Sequence, residues 1–257
     1  SWFGQGPNPL AVFRRGEGPA SLYAAIKGGR GRLSHAHMDA GSFLLEAGGV
    51  RWTADLGMPD YHRLESAGVD LFGQDRWNVY ALGPHSHSIP LLDDSAPDEN
   101  ATATLSAFSS QPPCAVFDLT PLYAAQVKRL HRGLRIESDT TVILRDEIEG
   151  APEGTRYRFS WMTRAAVTVG PDGVDLRKNG KKLRITFLSD ASLEIRDEDA
   201  AVPPAPYDAP QPGLRRVSVL FTVRKPAHFL QVRATLDDAP AASAPGPALS
   251  AWLYDMR

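Results

Sequence analysis

Ser42-Phe43-Leu44-Leu45-Glu46-Ala47-Gly48-Gly49-Val50-Arg51-Trp52-Thr53-Ala54-Asp55 holds two apolar runs joined by Gly-Gly. Two adjacent glycines admit positive φ at both central positions of a turn, so the stretch reads as a tight β-hairpin. The same pattern recurs outward from it. Residues 21–26 form a short apolar run that stops at Gly28-Gly29. Residues 140–146, 156–163, 182–188, 215–223 and 229–236 alternate or are β-branched, and Lys178-Asn179-Gly180-Lys181 carries the Asn-Gly signature of a primed turn. With 22 Gly and 21 Pro, long helices have little room. The predicted fold is all-β: a large multi-stranded antiparallel β-sandwich, with or without a smaller C-terminal β subdomain. Residues 1–150 are read as the sandwich that bears the chemistry. Residues 151–257 are read as the rest of its sheets or a small second sandwich. Short helical turns are predicted near residues 74–82 and 122–130, and a last strand at 248–254. Loops are predicted at 202–213, with five prolines, and at 237–247.

The chain has 257 residues, 28 Lys+Arg against 30 Asp+Glu, and one cysteine. That length buries a core without staples. A net charge of -2 gives no field that would draw the protein to nucleic acid or an anionic membrane. The lone Cys114 excludes an intrachain disulfide framework and cysteine-rich zinc motifs. No stretch approaches the roughly 18–20 apolar residues that span a bilayer. The chain begins at Ser1, which reads as a mature or trimmed piece.

Five of the seven histidines fall between residues 35 and 87. In Ser34-His35-Ala36-His37-Met38-Asp39-Ala40-Gly41-Ser42-Phe43, an extended backbone would put His35, His37 and Asp39 on one face. The hairpin would return Asp55 to the neighbourhood of His37. Gly83-Pro84-His85-Ser86-His87-Ser88-Ile89 again places histidines just before an apolar run. His37, Asp55 and His87 make a set of two imidazoles and one carboxylate that suits Zn²⁺ or a similar divalent ion. His35 would then remain free for proton transfer. Asp39 is a candidate partner to fix an imidazole tautomer.

At these residues the sequence resembles the heparinase II/III-like family of polysaccharide lyases. Leu22-Tyr23-Ala24-Ala25-Ile26-Lys27-Gly28-Gly29 is similar to the strand before the family motif, and residues 34–43 to the motif itself. Arg51-Trp52-Thr53-Ala54-Asp55-Leu56-Gly57 with Tyr61 resembles the family's Asp-x-Gly…Tyr segment. His87-Ser88-Ile89-Pro90-Leu91-Leu92-Asp93 resembles a His-Asn-Thr-Leu-type strand, with Ser88 in place of the usual Asn. Asp118-Leu119-Thr120, Tyr123, Arg132 and Arg145-Asp146 also fit.

The resemblance implies a β-sandwich that follows an N-terminal α/α toroid, and this chain looks like the sandwich alone. It implies His35 as the catalytic His, Tyr61 as a second catalytic group, and His37, Asp55 and His87 as zinc ligands. It also implies an anionic polysaccharide as substrate and a periplasmic or secreted location.

The chemistry fits these residue types. A uronate lyase removes the C5 proton, α to a carboxylate, and expels the 4-O-linked sugar. It must neutralise the carboxylate and offer a base of matched pKa. Arg30, Arg32, Arg76, Asn78 and His85 are in range by sequence to bind the chain, and guanidinium meets carboxylate bidentately. Trp77 could stack on a sugar, whereas Trp52 reads as core.

Two other readings share some of these features. A double-stranded β-helix oxygenase is disfavoured because no Arg occurs between Arg76 and Arg129 to hold an oxoacid. A non-catalytic carbohydrate-binding sandwich with a structural metal has the same fold and ligands.

Overall fold

The computed structural model describes residues 1–171, 173–237 and 244–252. Chain order begins with β1 (Trp2–Gly4), β2 (Leu10–Arg15), β3 (Leu22–Lys27), β4 (Phe43–Ala47) and β5 (Val50–Arg51), which form one sheet in sequential order. A short helix, α1 (Tyr61–Ser66), and two 3-10 turns, Gln74–Asn78 and Pro84–Ser86, lead to β6 (Pro90–Leu92). Then come β7 (Thr104–Ser110), β8 (Pro113–Asp118), β9 (Arg129–Ile136), β10 (Thr141–Glu149) and β11 (Arg156–Thr163). The remaining strands are β12 (Ala166–Gly170), β13 (Gly173–Lys178), β14 (Lys181–Ser189), β15 (Glu194–Asp199), β16 (Arg215–Thr222) and β17 (Ala227–Leu236). A last short helix, α2, spans Leu249–Trp252.

An eight-stranded antiparallel sheet runs β12-β13-β14-β17-β10-β9-β8-β7, and a four-stranded one runs β15-β16-β11-β6. Both take strands from before and after residue 150, through the β10–β17 and β6–β11 pairings. One apolar core joins the three sheets: Phe13, Leu45 and Trp52 meet Phe117, Leu144 and Leu230, and Phe159 and Trp161 close the third side. The architecture is the predicted all-β sandwich. Among the described residues no helix is long and apolar enough to cross a membrane.

The Gly-Gly turn forms as read, with φ of 62° at Gly48 and 77° at Gly49. The strand after it does not run to residue 56. Only Val50 and Arg51 pair with β4 as strand. The Thr53 hydroxyl then accepts from the Leu45 backbone at 3.0 Å, and Ala54 N–H donates to Met162 O in β11 at 2.7 Å. The chain thus leaves the first sheet for the third, and this crossover sets the position of Asp55.

Three other expectations need correction. Near residues 122–130, helical geometry is confined to Thr120–Tyr123, and β9 starts at Arg129. Near residues 74–82 it is confined to the 3-10 turn Gln74–Asn78. In the predicted strand 248–254, Leu249 to Trp252 are helical, because the i, i+3 spacing drops both side chains onto Gly133 of β9, where a Cβ would meet them within 2.4 and 2.7 Å. Residues 253–254 and most of the loop 237–247 lie outside the described residues.

Arg132 of β9 is a charged side chain with no exposed surface. It faces Asp146 across the β9–β10 ladder and holds it through Nε and Nη2, each at 2.7 Å. Its Nη1 donates to Gly41 O at 2.8 Å and Ser88 O at 2.9 Å. Tyr157 Oη donates to Asp146. Despite burial, Asp146 holds the Arg132 guanidinium above its usual pKa. Replacing Arg132 with Met leaves Asp146 buried without its counter-charge and should cost roughly 3–5 kcal/mol in urea unfolding. Replacing Asp146 with Leu as well should recover part of that loss. A single change costing under about 1 kcal/mol would show that the pair is not the core's anchor.

Candidate functional site

The His-rich stretch is not a strand. His35 has φ of 60°, a left-handed turn conformation, so side-chain alternation does not apply across it. His35, His37 and Asp39 therefore point to different places. His35 is exposed and its Nδ1 lies 3.2 Å from Tyr61 Oη, with the two rings stacked at 6.0 Å and 16°. Tyr61 is the first residue of α1, whose Asp60 cap accepts from Arg63 N–H. Phe72, 60% exposed, sets its ring edge-on to His35 at 5.9 Å. Asp39 does not reach an imidazole. Both its oxygens are taken by Lys27 Nζ at 2.7 Å, which fixes the loop to β3.

Arg76 lies behind the His35–Tyr61 pair. Its side chain is buried, donates to Ala36 O and packs over the Trp77 ring at 5.0 Å. Burial pushes the guanidinium below its usual pKa, and the Tyr61 hydroxyl opposes that shift. Glu99 gathers the flank: Arg32 at 3.4 Å, Gln74 at 2.9 Å and Trp77 Nε1 all donate to its carboxylate. Arg32 is therefore engaged by a carboxylate, and Arg30 and Asn78 are exposed. His85 sits farther along, its Nδ1 3.1 Å from Arg158 Nη2, while Arg216 donates to its backbone carbonyl at 3.2 Å. Burial, then Arg158 and Arg216, keep its pKa below the ordinary value.

His37, Asp55 and His87 come together from three segments. The His37 and His87 rings are 5.4 Å apart, and His87 Nδ1 is 3.6 Å from Asp55 Oδ2. His87 is buried, and neither of its ring nitrogens has a hydrogen-bond partner. The neighbouring His87 holds the Asp55 carboxyl well below the usual range, against the effect of burial. Burial and His87 push His37 down from 6.5. Neutral imidazoles, an ionised carboxylate and an orphaned buried imidazole are the donor chemistry of a divalent metal. Among the described residues, however, no group of three or more His, Cys, Asp or Glu converges on one point that could hold an ion.

Sequence reasoning missed Phe72, Glu99, Arg158 and Arg216. Each reaches the site from a distant segment, and none stands in a motif. Glu99, for example, is 67 residues beyond Arg32.

Among solved structures the fold is matched by a heparinase III, with a TM-score of 0.68 and 17% identity over 90% of this chain and 36% of that one. A heparan sulfate lyase from Pedobacter heparinus matches with a TM-score of 0.64 and 18% identity, over 90% of this chain and 35% of its own. A second heparinase III matches with a TM-score of 0.66 and 14% identity, over 91% and 36%. The chain thus spans about a third of the length of these proteins. Comparison with curated proteins by sequence gives no significant match. The model of the heparinase II/III-like C-terminal domain matches residues 10–228, and with the sandwich and its histidine loops in the same span, the chain belongs to that family.

Proposed function

We propose that this chain is the sandwich half of a polysaccharide lyase that cleaves a uronic-acid-containing polysaccharide by β-elimination. The observation that carries the reading is the pairing of exposed His35 with half-buried Tyr61, in contact at 3.2 Å. An imidazole and a phenol at that distance can act on opposite ends of one elimination. One takes the C5 proton and the other gives a proton to the leaving 4-O oxygen. Removing the C5 proton builds negative charge beside a carboxylate, so a fixed cation nearby lowers the barrier. Arg76 lies beside Tyr61 and is held in place by Ala36 O, and Arg32 is next along the same face.

The site is open on one side. Phe72 is 60% exposed beside His35, and Met58 is 73% exposed between Asp55 and Tyr61. Apolar side chains at the mouth of a site suit coverage by a further wall. In this reading that wall is the N-terminal α/α toroid, and the protein acts on glycans in the periplasm or outside the cell. Half a cleft leaves the reacting carbon poorly positioned, and positioning can supply several kcal/mol of the barrier.

The same reading gives His37, Asp55 and His87 a Zn²⁺ ion. When bound, it supplies positive charge behind the site and a cross-link between three segments. His87 contributes the buried nitrogens that otherwise lack partners, and Asp55 contributes the charge.

In a chain that includes the toroid, His35→Ala should lower kcat by about 10²–10⁴-fold, read by the ultraviolet absorbance of the unsaturated product. Its melting temperature should stay near that of the parent, because His35 is exposed. Tyr61→Phe should lower kcat with little change in KM. Full turnover in His35→Ala would move the acid–base role elsewhere. The isolated 257-residue chain should fold but show negligible elimination, and added toroid should restore it.

Zinc near 100 times its Kd should stabilise the chain by about 2.7 kcal/mol, which raises Tm by roughly 5–10 °C. EDTA should reverse the shift and His87→Ala should abolish it. The effect should be full at pH 7.5 and smaller at pH 5.5, where protons compete for the imidazoles. The metal-free chain also loses stability over that range. The unfolded His37 takes up a proton near pH 6.5, before the folded one with its lowered pKa does. The zinc effect is therefore the difference between melts with and without metal at each pH. An equal zinc response in His87→Ala would exclude this ligand set.

A further inference from the structure

Beyond Arg76 the surface opens into a cleft of about 580 Å³, within the size range of small-ligand sites. Its lining includes Trp77, Asn78, Tyr80, His85, Ala96 and Tyr207. Trp77 joins it to the His35–Tyr61 site, since Arg76 packs over that ring. Tyr207 comes from the Pro-rich loop 202–213, which sequence reading left without a role.

That loop is held firmly. Arg63 of α1 donates to Pro206 O at 3.3 Å and Asp208 O at 3.0 Å. The buried Asp208 carboxylate accepts from Tyr80 N–H at 3.0 Å, and Tyr80 Oη donates to Ala200 O at 3.2 Å. Tyr61 and Tyr207 pack against the same small core of Leu64, Leu71, Val79 and Leu82. One compact unit therefore presents Tyr61 to the reacting pair and Tyr207 to the cleft. Gly83 lies in the cleft wall, where a Cβ would stand 2.5 Å from Trp77 O, so any larger residue would displace the Trp77 segment.

The lining chemistry is that of a sugar site. Aromatic rings offer faces for the C–H surface of a pyranose. His85 and Asn78 offer polar atoms for its hydroxyls. Arg158 can only donate, so His85 Nδ1 accepts from it and, in the neutral ring, Nε2 carries the hydrogen free to donate to a ligand. No carboxylate lines the cleft among the described residues. Arg158 and Arg216 behind His85 are each paired, with Asp94 at 2.8 Å and Glu198 at 2.7 Å. Binding here rests on stacking and hydrogen bonds more than on net charge.

We infer that this cleft is a subsite for a glycan sugar flanking the reacting one, with Tyr207 as its stacking wall. The assignment rests on the lyase reading above and extends it to substrate length. The test is calorimetric binding of the chain to uronate di-, tetra- and hexasaccharides of alginate and heparan type, with neutral cello-oligosaccharides as a second panel. The parent chain should bind longer uronate oligosaccharides more tightly than disaccharides. Tyr207→Ala should lose that gain, about tenfold in Kd, and Tyr207→Phe should keep it. Ala96→Trp, at an exposed position of the cleft, should block it without touching the loop. Uronate binding that gains with length equally in the parent, Tyr207→Ala and Ala96→Trp would overturn the subsite and leave the lyase reading standing. Binding of neutral oligosaccharides alone, lost in both variants, would keep the cleft as a sugar site and sink the lyase reading. No binding of either panel would overturn the subsite.

Discussion

A guanidinium sealed in an apolar core must have its donors met, and Arg132 meets them at one point shared by all three sheets. Four of its N–H groups go to Asp146, Gly41 O and Ser88 O. Gly41 ends the loop that carries His35 and His37, and Ser88 follows His87 directly. A buried donor left unpaired costs about 1–3 kcal/mol, more when charged. The two loop ends are therefore fixed to each other through one side chain of the eight-stranded sheet. The Phe159 ring lies 5.3 Å from the same cation and brings in the third sheet. Shifting either histidine loop would break bonds in the middle of the core, so the His37–His87 proximity follows from how the sandwich is packed.

Much of this was legible in the sequence, and the parts that were not share a cause. The hairpin at Gly48-Gly49 and the Asn179-Gly180 turn were readable because turn chemistry is local: positive φ needs residues that tolerate it. Residues 202–213 were readable as a loop from proline content alone. Period-two reading failed where the chain changed partners. Val50–Arg51 begins a strand like any other, but the Thr53 hydroxyl replaces a ladder bond and the backbone goes over to Met162. Nothing in residues 50–56 announces Met162. The expected common face for His35, His37 and Asp39 failed at a single backbone angle, the left-handed φ of His35. Asp39 was placed near the histidines by spacing, and Lys27 claimed it by charge.

His37 lies near His87, and His87 near Asp55, although among the described residues no group of three converges on one point that could hold an ion. His37 and His87 each precede an apolar strand, β4 and β6, and Asp55 follows the crossover to β11. Sequence can tell that a polar residue borders an apolar run, and the Arg132 bonds to Gly41 O and Ser88 O bring two of those borders together. His87 is buried with neither ring nitrogen hydrogen-bonded, and the Asp55 carboxyl beside it, which accepts from Gly57 N–H at 2.8 Å, is held below its usual pKa.

The division of work between scaffold and loops follows from the same geometry. The sandwich fixes the histidine loops through its core, whereas Tyr61 and Tyr207 pack on a separate small core of Leu64, Leu71, Val79 and Leu82. That unit meets the rest of the chain through Arg76 to Ala36 O, through Met38 N–H to Leu82 O at 2.9 Å, and through Tyr80, which packs against the cluster of Met162, Ala200 and Leu214. His35 and Tyr61 come from different segments, and their rings meet at a 3.2 Å polar contact. Loop residues carried on such a satellite cluster can vary while the sandwich core is left intact.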